Sequence, residues 1–215
     1  MTALYISTQF DSGAIEVASL ADPRDIQLRI RKDSAAEFAQ WFHFCLHGAQ
    51  GQAVTLRFLN AGECAYPKGW DGYRVVASHD RQHWFRIDTQ FDGTVMTARM
   101  TPQTHSVYFA YFEPYSYEQH LDLLGSASAS DYVTLHRLGG TVDGRDMSML
   151  RITRPIEGVD DSQKKKVWLI ARQHPGESMA EWWMEGALEC LTDPADPVGR
   201  VLRANCRIHL VPNCN

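Results

Sequence analysis

Short runs of aromatic and β-branched residues alternate with polar turns through the first 112 residues of the chain. The turns contain Gly, Pro and Asp, residues that favour reversals of the backbone. Several short strands at regular spacing are typical of an antiparallel β-sandwich. We expect the aromatic side chains to form its core rather than a ligand platform. The predicted strands are residues 38–46, 54–59, 73–78, 84–87, 94–100 and 106–112.

The pattern changes in the second half of the chain. Residues 117–124 predict a short helix after Pro114, and residues 126–130, which alternate Ser and Ala, predict a small polar linker. Residues 132–138 and 147–153 predict a pair of strands joined through glycine-containing turns. We place a boundary near residue 115, with the sandwich in residues 1–115 and a second domain in residues 116–215.

A strand, a helix and a second strand follow in the order of a parallel α/β unit. The strands are predicted at residues 166–171 and 207–211, and residues 198–204 predict a further helix. The longest helix is predicted over residues 178–191, where apolar residues recur with a period of about 3.6. The fold class is therefore α/β, with an N-terminal antiparallel β-sandwich. The apolar positions of the long helix are Met179, Trp182, Trp183, Gly186, Ala187, Cys190 and Leu191.

Charged residues around this unit are expected to face solvent. Glu181, Glu185 and Glu189 have helical spacing and predict the solvated face of the long helix. The basic run 164–166 predicts the solvated start of an apolar strand. The net charge of −5 argues against a broad electrostatic grip on nucleic acid or on an anionic membrane.

Length and cysteine usage narrow the class of protein further. A chain of 215 residues makes one large domain or two small ones. No apolar stretch approaches the roughly 18 residues of a membrane span, and the N-terminus shows no signal-peptide pattern. The five cysteines are odd in number and lack CxxC spacing, which favours free thiols in a cytoplasmic location and no cysteine zinc site.

One motif suggests a metal centre. His174 and Glu177 lie on a Pro-Gly turn between the predicted strand and the long helix, at the strand end where ligands gather in open α/β sheets. Imidazole nitrogen and carboxylate oxygen both suit zinc. The hydroxyl of Ser178 is expected to cap the helix. The His–Glu spacing alone is weak evidence for a metal site. A histidine can simply lie at a turn, and a glutamate in the first turn of a helix is favoured by the helix dipole.

Other histidines have plainer explanations. His209 is a candidate third ligand, but its apolar strand favours packing in the core. The pairs His43–His47 and His79–His83 are each four residues apart. The first pair shares a strand face, and the second lies across a predicted hairpin turn, so neither pattern favours a metal site.

Four segments carry a family resemblance, in the family's order along the chain. Residues 171–186, ARQHPGESMAEWWMEG, resemble the first zinc motif of the M14 metallocarboxypeptidases, in the HPGE form of cytosolic carboxypeptidases and their bacterial relatives. Residues 40–44 resemble a strand of that subfamily's N-terminal β domain, and residues 109–117 resemble its junction with the catalytic domain. Residues 211–215, VPNCN, resemble the start of its PNxNPDG segment.

The resemblance implies zinc as cofactor, held by His174 and Glu177, and a carboxypeptidase-like α/β domain in residues 116–215. It implies hydrolysis of C-terminal or side-chain-linked amino acids from a peptide or protein tail. The family supplies a further zinc histidine, substrate-binding residues and a glutamate general base later in the sequence, so these are expected beyond Asn215. The 215 residues are then the N-terminal part of a longer protein, inactive alone and weak in zinc binding. The preferred substrate and the oligomeric state stay open.

Two alternatives remain at this point. A zinc deacylase of N-acyl amino acids shares the strand–HxxE–helix arrangement, although the long β domain ahead of the motif disfavours it. A non-catalytic peptide-binding module would use the sandwich as its working surface, and its binding would survive removal of the metal.

Overall fold

A computed structural model describes residues 3–158 and 160–215 of the chain. Residues up to Pro114 form one compact unit, and residues from Tyr115 onward form another. Within the described ranges, no helix is both long enough and apolar enough to span a bilayer.

The first unit is built from ten strands over its described residues, arranged in two five-stranded sheets. One sheet has the strand order β1-β4-β10-β6-β7, and the other has the order β2-β3-β5-β9-β8. Short 3-10 turns connect some of them, at Pro23–Asp25, Ala61–Glu63 and Pro67–Trp70. The strands are β1 (Tyr5–Ser7), β2 (Glu16–Ser19), β3 (Ile26–Arg29), β4 (His43–His47), β5 (Val54–Phe58), β6 (Val76–Ser78), β7 (Trp84–Arg86), β8 (Asp88–Phe91), β9 (Met96–Met100) and β10 (Ser106–Ala110).

One apolar core lies between these two sheets. Phe44 and Phe109 from the first sheet are fully buried with Phe58 from the second, and the rings of Phe44 and Phe109 stack with centroids 5.2 Å apart. The unit is therefore a β-sandwich, and the prediction that its aromatic residues form the core is confirmed for these residues.

The sandwich is not wholly antiparallel as predicted. Strands β3 and β5 pair in parallel, with Ile26 opposite Leu56. Strands β1, β2, β3 and β8 have no counterpart among the predicted strands, and each has only three or four residues. An isolated run of that length carries too few positions for an alternating pattern to stand out.

The second unit has one four-stranded sheet with three helices in its described part. The sheet order is β11-β12-β14-β13. Strands β13 and β14 pair in parallel, with Val167 opposite Ile208, which confirms the predicted parallel unit. A 3-10 turn at Asp161–Gln163 precedes β13. The elements are α1 (Tyr117–Ser128), β11 (Val133–Gly140), β12 (Asp146–Ile152), β13 (Lys165–Ile170), α2 (Met179–Thr192), α3 (Pro197–Asn205) and β14 (Cys206–Val211).

Helix α1 is longer than predicted. It begins at a capping box in which Ser116 and Gln119 bind each other's backbone amides. It then continues through the first part of the segment predicted as a polar linker. The reason is tertiary packing, because Leu124 and Ala127 are buried against the core of this unit.

The two faces of the four-stranded sheet differ. The inner face contributes Leu150, Ile152, Ile208 and Leu210 to a core completed by the helices. The opposite face, here called the outer face, carries Trp168 and Ile170, which are 53% and 50% exposed.

The buried stripe of α2 shares Leu191 with the predicted apolar positions but otherwise differs from them. Met184, Leu188 and Leu191 are buried, whereas Met179 and Trp183 are exposed. The buried positions follow a spacing of three and four residues, as a helix packed along one line requires. The apolar pattern was ambiguous because this helix carries apolar residues around most of its circumference.

The basic run at the start of β13 is only partly solvated, which corrects the expectation for residues 164–166. Lys165 and Lys166 are exposed, but Lys164 is buried. Its ammonium group donates to the hydroxyl of Thr153 at 2.9 Å and pairs with the carboxylate of Asp161 at 2.9 Å. A lysine can be buried when several acceptors surround its charge.

Candidate metal centre

The turn between β13 and α2 places both predicted ligands at the carboxyl end of a sheet strand. His174 and Glu177 are both exposed on this turn. The amide of Glu177 donates to the carbonyl of His174 at 3.1 Å, and the amide of Ala180 donates to the carbonyl of Glu177 at 3.1 Å. These bonds close the chain tightly, so one compact turn carries the two side chains that the sequence predicts as ligands.

The chemistry of these two side chains fits a zinc ion as part of a larger set. An imidazole and a carboxylate are both common zinc ligands, and a catalytic site generally uses three protein ligands with water in the fourth position. Over residues 3–158 and 160–215, no group of three or more His, Cys, Asp or Glu side chains is placed to hold a metal. The described residues therefore offer a partial ligand set.

Ser178 does not cap the helix in the way predicted. It is the N-cap residue, but its backbone is helical (φ −59°, ψ −27°) and its side chain makes no capping hydrogen bond. A side-chain cap requires an extended backbone that swings the hydroxyl over the first turn. The residue is instead buried, and its carbonyl accepts from the amide of Glu181 at 3.1 Å.

The side chain of Arg172 binds the backbone of this turn. Its backbone lies in the left-handed region, with φ of 44°, a conformation that is uncommon for a residue other than glycine. Its guanidinium donates to the carbonyl of Pro175 through Nε at 3.4 Å and Nη2 at 3.3 Å. Nη1 donates to the carbonyl of Tyr115 and to Oε2 of Glu181, both at 2.7 Å.

Glu181 is fully buried, which corrects its predicted position on a solvated face. Besides Arg172, its carboxylate accepts from Nδ1 of His120 at 2.6 Å and from the side-chain amide of Asn213 at 3.3 Å. Its helical spacing from Met184 and Leu188 places it in line with the buried stripe. That spacing was the one sequence signal for its burial.

The other two glutamates of α2 are in different environments. Glu185 is half-buried and accepts from the hydroxyl of Tyr115 at 2.7 Å. Burial and this hydrogen bond to Glu185 raise the pKa of Tyr115. Glu189 is exposed, as predicted.

The remaining histidine candidates do not join the turn. His209 lies half-buried on the outer face of the sheet, stacked on Trp168 with ring centroids 4.5 Å apart. Its predicted place in the apolar core is wrong, because residues 208 and 210 occupy the inner face. Each ring of the two spaced pairs has its own polar partner, namely Ser12 for His43, Ser106 for His47, Thr104 for His79 and Asp80 for His83.

Family models match both halves of the chain. A model of the cytosolic carboxypeptidase N-terminal domain matches residues 6–112, and a model of the zinc carboxypeptidase domain matches residues 117–215. The chain belongs to the M14 family of zinc carboxypeptidases and carries the N-terminal domain of its cytosolic branch.

Individual relatives are similar to this chain over nearly all of its length. An uncharacterized protein of Zymomonas mobilis is 45% identical over 99% of this chain and 53% of its own length. Mouse cytosolic carboxypeptidase 6 is 27% identical over 96% of this chain and 41% of its own length. The chain spans about half the length of the curated relatives it matches most strongly.

Solved structures show the same architecture. A metallo-carboxypeptidase from Burkholderia cenocepacia is 49% identical, with a TM-score of 0.95 over 100% of this chain and 57% of that one. A metallo-carboxypeptidase from Pseudomonas aeruginosa, solved in complex with (2-guanidinoethylmercapto)succinic acid, is 42% identical, with a TM-score of 0.90 over 98% of this chain and 55% of that one.

Proposed function

We propose that this chain carries part of the catalytic centre of a zinc metallocarboxypeptidase, with His174 and Glu177 as two of the zinc ligands. The observation that supports it is the HPGE turn, which presents an imidazole and a carboxylate together at the end of β13. The reaction is hydrolysis of an amide bond, releasing a C-terminal or side-chain-linked amino acid from a peptide or protein tail. We place the activity in the cytoplasm.

Each residue has a limited role in this proposal. Zinc, when bound, polarises the scissile carbonyl and lowers the pKa of a bound water toward about 7. His174 donates a neutral imidazole nitrogen to the ion, and Glu177 donates a carboxylate oxygen. Neither acts as the general base, because both are engaged as ligands. The described residues bring no third ligand to this turn, and we propose that the 215 residues alone are inactive.

Replacing either ligand by alanine is expected to weaken zinc binding by the chain at least tenfold, because each loss removes one of only two side-chain donors. Competition with a fluorescent chelator measures the affinity, and elemental analysis gives the stoichiometry. Both sites are exposed, so the melting temperature should hardly change. The matched controls are His105→Ala and Glu189→Ala, which remove an exposed imidazole and an exposed carboxylate elsewhere. Wild-type zinc stoichiometry in both His174→Ala and Glu177→Ala would refute the ligand assignment.

Substrate assays separate the carboxypeptidase from its alternatives. The protein expressed from its whole reading frame should release C-terminal residues from peptides and lose this activity with a chelator. Activity on N-acyl amino acids but not on peptides would favour a deacylase. Peptide binding that survives both chelation and His174→Ala would favour a binding module.

A further inference from the structure

We propose that Glu181 is a positioning residue for the metal centre, acting through Arg172 on the turn that carries His174 and Glu177. This inference rests on the proposed ligand role of those two residues. Glu181 lies on α2, one helical turn beyond the proposed ligand Glu177, and its carboxylate is already engaged by three other side chains.

The carboxylate of Glu181 joins three parts of the second unit. His120 comes from α1, Arg172 from the residues after β13, and Asn213 from the residues after β14. A carboxylate paired with a guanidinium accepts hydrogen bonds and donates none, so the imidazole Nδ1 and the amide nitrogen are the donors. One buried carboxylate thus connects helices α1 and α2 with the residues that follow the two parallel strands β13 and β14.

The residues that follow β13 and β14 are also hydrogen-bonded to each other. The side-chain amide of Asn215 donates to the carbonyl of Gln173 at 3.3 Å, and its backbone amide donates to the side chain of Asn213 at 2.9 Å. Glu181 and this pair of asparagines therefore hold the residues on either side of His174.

Arg172 transmits this constraint to the turn. Its guanidinium is held by Glu181 at one end and binds the carbonyl of Pro175 at the other. Pro175 lies between the two ligands. The left-handed backbone of Arg172 is a strained conformation, and it persists because the side chain is fixed at both ends.

A negative charge at position 181 is required for this arrangement. The guanidinium of Arg172 is buried, and a buried cation needs a paired anion. Glutamine at position 181 preserves the length of the side chain but cannot neutralise the guanidinium. We expect Arg172 then to turn toward solvent, which releases the carbonyl of Pro175 and lets the turn sample other conformations.

In the Glu181→Gln variant, zinc binding would have to order a turn that is no longer fixed. The affinity of the variant for zinc therefore falls. Groups that orient metal ligands without touching the metal commonly change the affinity by about 10- to 100-fold when they are mutated. We expect a change of that size for Glu181→Gln, with zinc alone as the probe.

The experiment uses the whole chain and compares Glu181→Gln with Glu189→Gln, the same change at an exposed position of the same helix. One measurement is the zinc dissociation constant by chelator competition. A second is hydrogen exchange, without metal, of the backbone amides of residue 174 and residues 176–178. Glu181→Gln should weaken zinc binding and speed exchange in this turn, while the amides of β12 and β14 stay protected. Glu189→Gln should match the wild type in both.

The outcomes distinguish this inference from the ligand assignment. If His174→Ala loses zinc but Glu181→Gln binds it like the wild type, Glu181 does not position the site and the ligands stand. If His174→Ala also binds like the wild type, the ligand assignment itself fails. Should Glu181→Gln not fold, Arg172→Lys decides, since it keeps the charge but loses the planar fork that reaches two partners at once. Unchanged zinc affinity and turn exchange in Arg172→Lys would overturn the proposal.

Discussion

Lys164→Met is expected to lower the free energy of unfolding of the second unit by about 1–3 kcal/mol, the usual cost of leaving a buried hydrogen-bond acceptor without its donor. The ammonium group of Lys164 is almost fully buried. It donates to the hydroxyl of Thr153 and to the carbonyl of Arg154, pairs with the carboxylate of Asp161, and lies 3.4 Å from the carbonyl of Arg203. Methionine fills a similar volume and leaves no cavity. The decrease in the free energy of unfolding therefore measures the effect of leaving these acceptors without a donor.

Urea unfolding of the variant measures this loss, and Lys165→Met is the matched control. Lys165 is the next residue in the chain and its side chain is exposed, so its substitution should change the free energy of unfolding by less than about 0.5 kcal/mol. Equal effects of the two substitutions would show that the contacts of Lys164 contribute nothing to stability.

The sandwich unit is expected to lose stability steeply on acidification because of His43. This side chain is 1% exposed, among the rings of Phe10, Trp41, Trp84 and Tyr108. Burial, and then the nearby positive charge of Arg81, lower its pKa to about 3. Nδ1 lies 3.0 Å from the hydroxyl of Ser12, and Nε2 is buried with no partner among the described residues.

The direction of the effect follows from proton linkage. In the unfolded chain the imidazole titrates near its ordinary value of 6.5. Between that value and about 3, the unfolded state binds a proton that the folded state does not, so stability falls as the pH falls. The slope is about 1.4 kcal/mol per pH unit, or about 3 kcal/mol between pH 6 and pH 4.

Urea unfolding at several pH values tests this expectation against His43→Gln. Glutamine retains a hydrogen-bonding group but does not titrate, so the slope of the variant should be shallower by about 1.4 kcal/mol per pH unit. The comparison of slopes holds even if glutamine lowers stability at every pH. Parallel curves for the two proteins would mean that His43 is protonated within the folded state.

The architecture was predictable where one residue pattern decides one element. The run 166–171 and the run 207–211 are short, apolar and separated by helical patterns, and both form strands of a parallel pair. The HxxE turn was predictable because a histidine and a glutamate flank a Pro-Gly pair, and that pair lies between a strand pattern and a helix pattern. These features depend on neighbours in sequence, which the chain itself displays.

The buried charges were not predictable in the same way. Glu181 binds side chains that are 61, 9 and 32 residues away in sequence, and Lys164 binds acceptors up to 39 residues away. A charged residue is assigned to solvent unless its partners are known, because burial without them is costly. Such partners appear only once the chain is folded, so the residues that hold the turn were missed while the turn itself was found.

Strand β13 has one consequence for the handling of this protein. It pairs with β14 on one side and has no strand partner on the other within the described part of the chain. Its free backbone groups therefore form a template for edge-to-edge pairing between molecules. Trp168 and Ile170 add apolar area beside that edge, whereas Lys165 and Lys166 oppose close approach by their like charge. High salt screens that repulsion, so light scattering by concentrated samples should rise with ionic strength.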